Sequence, residues 1–220
     1  IQKYPAFYQG LESLNADLEA NHKSALSKMT HLKTENGKKI IPVVVHVIHN
    51  GGGENLTVTQ IQNGLDHLNA NINGQADNFL TLTTPDIFAS VRGDLNVEFR
   101  LAKLTPVDPN CDTCTARPTS GIVRVRSELT IATVTPTLSR DRVKALSYWN
   151  SYQYLNIWVV KSMPAGPDPT TDPALNGYAQ FPWSNSMSTD GVMIRSGVFA
   201  VGETITHEVG HWLGLCHTWA

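Results

Sequence analysis

Thr206-His207-Glu208-Val209-Gly210-His211-Trp212-Leu213-Gly214-Leu215-Cys216-His217 sets three histidines and a glutamate in the pattern H-E-x-x-H-x-x-G-x-x-H. A helix advances about 100° per residue, so His207 and His211 stand one turn apart on one face and converge on a common point. Glu208 follows the first of them and faces the same cleft without having to join the ligands. Gly214 ends the helix. A left-handed backbone costs glycine little, and the turn it allows brings His217 round as a third ligand. Three neutral imidazoles leave a zinc ion one open position, whereas a structural site is usually closed by four protein ligands. Such an ion lowers the pKa of a water and polarises a carbonyl, and Glu208 is placed to move the water's proton to a leaving amine. A zinc-holding scaffold or envelope module without turnover is the competing reading, but it has no need of Glu208. Val209, Trp212 and Leu213 read as core residues on the buried face of the helix.

Working outward from this string, residues 191–195 and 177–181 read as short strands, and 163–173 as a proline-rich loop. Residues 154–160 form an apolar run of buried-strand length, and 140–148 suit a helix. Residues 121–126 are extended. Val97, Phe99 and Leu101 alternate with polar neighbours, which predicts a strand over 96–104. Ile61, Leu65, Leu68 and Ile72 share one face of a helix over 59–72. Gly51-Gly52-Gly53 is a loop, and residues 40–48 are a largely buried strand. His46 and His49, three positions apart in that strand, fall on opposite faces, so they read as structural residues rather than a second metal pair. Strands alternating with helices imply an α/β (α+β) layer fold. Residues 1–39 stand apart: Leu11, Leu14 and Leu18 recur at helical spacing, predicting an amphipathic helix over 10–29. Asn36-Gly37 then marks a turn and an exposed cleavage point. The expected division is a helical extension over 1–39 and a catalytic domain over 40–220.

The chain has 220 residues, few charges and a formal net charge of −2. With no basic run, nucleic acid is not a favoured partner. No apolar stretch reaches membrane-spanning length. The scarcity of charge and the abundance of Asn, Thr, Gly and Pro suit a loop-rich secreted protein. Cys111 and Cys114 form a C-x-x-C in a loop. A zinc ribbon needs a second pair, and a redox motif normally opens a helix, so a local disulfide is expected, with two free thiols as the alternative. Cys216 is left over.

The extended string resembles that of the metzincin zinc metalloproteases. Several further segments, in order, resemble the pappalysin family, and within it the ulilysin- and cytophagalysin-like branch. They are Pro42-Val43-Val44-Val45-His46-Val47-Ile48-His49, Gly121-Ile122-Val123-Arg124-Val125, Lys144-Ala145-Leu146-Ser147-Tyr148-Trp149, Tyr154-Leu155-Asn156-Ile157-Trp158-Val159, Gly177-Tyr178-Ala179-Gln180-Phe181-Pro182 and Asp190-Gly191-Val192. The likeness runs from about Ile40 to Trp219. It implies a twisted mixed five-stranded sheet with a backing helix and an active-site helix, and a secreted zinc endopeptidase made as a zymogen. His207, His211 and His217 match the zinc ligands and Glu208 the general base. Gly177, Tyr178, Ala179, Gln180 and Phe181 match the edge strand that binds extended peptide substrates by strand addition. The likeness also implies a prosegment over 1–39 as an intramolecular partner, with Asp17 as the candidate plug of the zinc's open position and His22 and His31 as weaker ones. A lower C-terminal subdomain with a methionine turn, and calcium sites outside this chain, complete the expectation.

Overall fold

The computed structural model describes residues 33–76, 95–107, 113–133, 139–166, 168, 170, 173–183 and 186–217. The helix expected over 10–29, Asp17, His22, His31 and Cys111 lie outside the described residues.

A 12-residue strand, β2 (Lys38–His49), is the spine of the fold. It is preceded by β1 (Thr34–Glu35), and Asn36 (φ 50°) and Gly37 (φ 78°) close a two-residue hairpin between them. Such turns need left-handed backbone at both central positions, which Asn-Gly supplies. The remaining strands are β3 (Val97–Leu101), β4 (Ile122–Arg126), β5 (Leu155–Val160), β6 (Gly177–Ala179) and β7 (Val192–Arg195). Among the described residues seven strands make one mixed sheet, antiparallel at β1–β2 and β6–β7 and parallel elsewhere. They fill the five lanes expected. β3 and β4 lie end to end along one side of β2, because Lys39–Val43 pairs with β3 and Val45–His49 with β4. β1 and β5 share the other side, followed by β7 and then β6 at the edge.

Both faces of the sheet are covered, which explains why β2 and β5 read as continuous apolar runs rather than alternating ones. Val43, Val45, Val47, Ile157, Val159, Val192 and Ile194 face one core. There they meet Ile61, Leu65 and Leu68 of α1 (Val58–Ile72) together with Ile205 and Val209 of the last helix. Ile48, Trp158, Val160 and Met193 face a second core with Val143 of α2 (Arg140–Lys144). A transverse row crosses this second face in register: His46, Trp158, Met193 and Tyr178. α1 starts at a capping box in which the Thr57 hydroxyl accepts from the Gln60 N–H and the Gln60 side chain accepts from the Thr57 N–H.

Three expectations need correction. The helix expected over 140–148 stops at Lys144. Beyond it the chain tightens into a turn so that Ser147 reaches His46 and its carbonyl accepts from the Trp158 indole at 2.8 Å. The strand expected over 177–181 ends at Ala179. The Gln180 side chain is drawn into the following loop, donating to the Ser186 carbonyl and accepting from Thr189. Leu213 is exposed, not core. It lies one residue past the last helix, where the chain has already begun to turn. A short helix α3 (Ser196–Phe199) was not expected; it seats Phe199 in the main core.

Candidate metal centre

α4 (Glu203–Trp212) carries His207, Glu208 and His211. Its buried side is fixed by Ile205 and Val209 in the main core, and Thr206 accepts a 3.0 Å hydrogen bond from Asn71 of α1. The helix ends in a Schellman arrangement. The Leu215 N–H returns to the Gly210 carbonyl and the Gly214 N–H to the His211 carbonyl, both at 2.9 Å. Gly214 has φ 94°, a conformation that strains any residue with a Cβ. This reversal does two things. It aims the Leu215 carbonyl at His211 Nδ1, 2.7 Å away, and it carries His217 back over the helix face.

The three Nε2 atoms of His207, His211 and His217 stand 3.0 Å apart in each pair. Three imidazole nitrogens cannot all satisfy one another by hydrogen bonding, since each N–H serves one acceptor. A cation resolves the conflict. A zinc ion would be held by the Nε2 atoms of His207, His211 and His217 and would supply Lewis acidity there. The donor set therefore fits zinc. His211 must carry its proton on Nδ1 to donate to Leu215, which leaves the Nε2 lone pair free for the ion. Burial and the two neighbouring rings lower the proton affinity of His207, which also favours the neutral ligand form. The centre opens into a cleft of about 240 Å³ lined by Thr206, Gly210, Leu215, Cys216 and the histidines.

Glu208 is 8% exposed, and burial pushes its carboxyl up to about 7. It lies against Gly177 of β6: a Cβ built there would stand 2.5 Å from Glu208 Cγ. The edge strand and the glutamate are thus in direct contact. Beyond β6, Phe181 stacks on Trp183 at 4.5 Å and leans on the His211 ring at 5.0 Å. Trp212, at the end of α4, donates to both oxygens of Asp190 at 3.2 Å. This bond ties the helix to the loop before β7. Trp212→Phe removes it and leaves the buried Asp190 carboxylate under-satisfied, so a loss of about 1–2 kcal/mol is expected in denaturant unfolding.

The structure thus brings together His207, His211, His217, Glu208 and Gly177, and it places Tyr178 on the opposite face of the sheet. His46 is fully buried and 2.9 Å from Asn156, and among the described residues it belongs to no group of three or more side chains that could hold a metal. His49 lies on the other face of β2, as alternation requires. Cys114 is disulfide-bonded and Cys216 is a free thiol. The Asp190 tether to Trp212 was missed in the sequence. Only the Asp190-Gly191-Val192 segment pointed toward it.

The sheet, the two helices on its main face and the tri-histidine site define a metzincin-like metalloprotease fold. The particular proteins it resembles bear this out. Mature mirolysin of Tannerella forsythia, solved in complex with a cleaved peptide, is 32% identical, with a TM-score of 0.62, over 84% of this chain and 66% of that one. A promirolysin variant from the same organism is 30% identical, with a TM-score of 0.65, over 99% of this chain and 66% of its own. Curated relatives are described as extracellular metalloproteases. That of Arthroderma otae is 27% identical over 82% of this chain and 53% of its own length. That of Pyricularia oryzae is 39% identical over 31% of this chain and 25% of its own length. The chain thus spans about half, or less, of the curated relatives it matches. No family model matches it.

Proposed function

We propose that this chain carries the zinc-binding half of a secreted zinc endopeptidase of the pappalysin family, in its ulilysin- and cytophagalysin-like branch. The observation that carries the reading is the set of three Nε2 atoms at 3.0 Å spacing with the buried Glu208 carboxyl beside them. Zinc, when bound, supplies Lewis acidity to a water and to the scissile carbonyl. His207, His211 and His217 hold the ion. Glu208 takes a proton from the attacking water as the C–O bond forms, then delivers it to the leaving nitrogen, after which the C–N bond breaks.

The edge strand is the substrate platform. Gln180 donates to the Gly191 carbonyl and Arg195 to the Asn176 carbonyl, so residues 176, 178 and 180 turn their backbone groups toward β7. By the alternation of an antiparallel pair, Gly177, Ala179 and Phe181 turn theirs away from it, toward an extended peptide. Tyr178 and Gln180 then serve as fixed points between them. Gly177 lets the platform approach Glu208. Gly177→Ala is expected to displace the carboxylate and lower kcat by about a hundredfold with zinc content unchanged. Assays of both quantities on one preparation check it.

The same reading assigns residues 1–39 to a prosegment, with Asp17 in the zinc's open position, and residues 40–220 to the catalytic domain. A Cys111–Cys114 bridge, calcium sites and a lower subdomain with a methionine turn belong to it as well. Extracellular relatives support secretion, and among the described residues no helix is long and apolar enough to cross a membrane. Mass-spectrometric mapping of cuts in a denatured protein mixture tests the function, with and without a zinc chelator and with Glu208→Ala in parallel. Cuts abolished by both support it. Zinc binding without cuts, before and after removal of residues 1–39, would leave a non-catalytic metal module. An Asp17→Ala protein no more active than the latent form removes Asp17 from the account.

A further inference from the structure

Lys144 is 1% exposed, a deep burial for a lysine, and the chemistry above does not use it. Its ammonium donates to the Thr189 carbonyl at 2.5 Å and lies 5.0 Å from the Trp158 ring centre and 5.2 Å from that of Tyr178. One turn earlier on α2, the Arg140 guanidinium stands 4.0 Å from the centre of the same Tyr178 ring. Both distances fall within the range where a cation is held by an aromatic face. Burial pushes the Lys144 ammonium down to about 8, against the nearby Asp141 and Asp190, which favour the charged form, so it remains a cation at neutral pH.

The geometry has a direction. Tyr178 is the only residue of β6 whose side chain reaches the α2 face of the sheet. Its neighbours Gly177 and Ala179 face α4, Gly177 against Glu208 and Ala179 in the main core. β6 has three residues and, among the described residues, pairs only with β7. Three residues of two-stranded pairing hold an edge loosely. Two cations from one helix on one ring fix what that pairing leaves free: the tilt of the strand and so the aim of its outward backbone groups. Lys144 also binds the carbonyl of Thr189, next to Asp190, which holds Trp212 of α4. Strand, loop and active-site helix are therefore referred to the same lysine.

We infer that Arg140 and Lys144 are positioning residues for substrate: by gripping Tyr178 from behind the sheet they hold the free backbone groups of Gly177 and Ala179 in register for an extended peptide. The inference rests on the edge-strand reading above. It assigns no direct substrate contact to either cation.

The test uses a quenched fluorescent peptide of about eight residues that the protein cleaves, and the same peptide N-methylated at the amides opposite Gly177 and Ala179. The wild-type protein is compared with Tyr178→Leu, Arg140→Met, Arg140→Lys and Lys144→Met, with zinc content and Tm measured for each. Arg140 lies at the surface end of the clamp, so Arg140→Met keeps the test informative if Lys144→Met does not fold. The expected result is a KM about tenfold higher in Tyr178→Leu and Arg140→Met, with kcat and zinc unchanged and recovery in Arg140→Lys. N-methylation should harm the wild type more than these variants, since a displaced strand has less pairing to lose. If N-methylation harms all proteins equally and KM stays at the wild-type value, the clamp is overturned and the edge-strand reading stands. If N-methylation leaves the wild type unaffected, substrate does not pair with β6, and both readings fall.

Discussion

Glu208→Gln is expected to lower kcat for peptide cleavage by about three orders of magnitude while zinc content stays at the wild-type level. Glutamine keeps the shape that packs against Gly177 and removes only the ability to carry a proton. None of the three convergent Nε2 atoms depends on Glu208 for its place. His207 and His211 are set by the helix, and His217 by the turn at Gly214. The contrasting variant is His211→Ala. His211 is within 3.0 Å of both other ligands and is itself oriented by the Leu215 carbonyl at 2.7 Å. Its loss should remove zinc and activity together. Zinc analysis and peptide cleavage on the two variants separate base from ligand. A Gln variant that cleaves at the wild-type rate would falsify the assignment of Glu208 as the base.

The largest expected effect on stability is at His46. The ring is fully buried, stacked on Trp158 at 5.4 Å, and pushed down to about 4 by its burial. Its hydrogen bonds specify the neutral form. Asn156 Oδ1 accepts from the Trp149 N–H at 2.9 Å, which fixes the amide orientation, so His46 Nε2 donates to that oxygen. His46 Nδ1 then accepts from the Ser147 hydroxyl at 2.7 Å. A histidine with a normal value of 6.5 in the unfolded chain and about 4 in the fold favours unfolding as it takes up a proton. Its contribution is complete above pH 6.5 and is lost as pH falls through the window from 6.5 to 4. The full loss is about 3 kcal/mol. Denaturant unfolding across that window, on zinc-free wild type and His46→Gln, isolates it, because the zinc histidines are common to both. Equal pH slopes for the two proteins would place the acid sensitivity elsewhere.

Much of the fold was legible because its signals are local. The apolar run of β2, the one-sided pattern of α1 and the turn signal of Asn36-Gly37 are each set by neighbours within a few residues, and the structure keeps them where the pattern put them. The departures come where a distant partner overrides the local preference. Residues 145–148 suit a helix, yet the Ser147 bonds to His46 and Trp158 take the chain out of it. Gln180 alternates as a strand residue should, yet its amide is claimed by Ser186 and Thr189. Leu213 is apolar and one turn beyond Val209, yet the helix ends before it can be covered.

The sequence by itself determined which three histidines come together. The spacing of His207, Glu208, His211, Gly214 and His217 has one helical solution that lets three imidazoles meet, and the short-range geometry of helix and turn enforces it. Only the tertiary structure decided what surrounds that centre. The contact of Gly177 with Glu208, the Asp190 tether to Trp212 and the two cations behind Tyr178 join residues dozens of positions apart in the chain. Such contacts depend on strand order and register across the sheet, which no local pattern encodes, because pairing energies are similar for many registers until the cores on both faces select one.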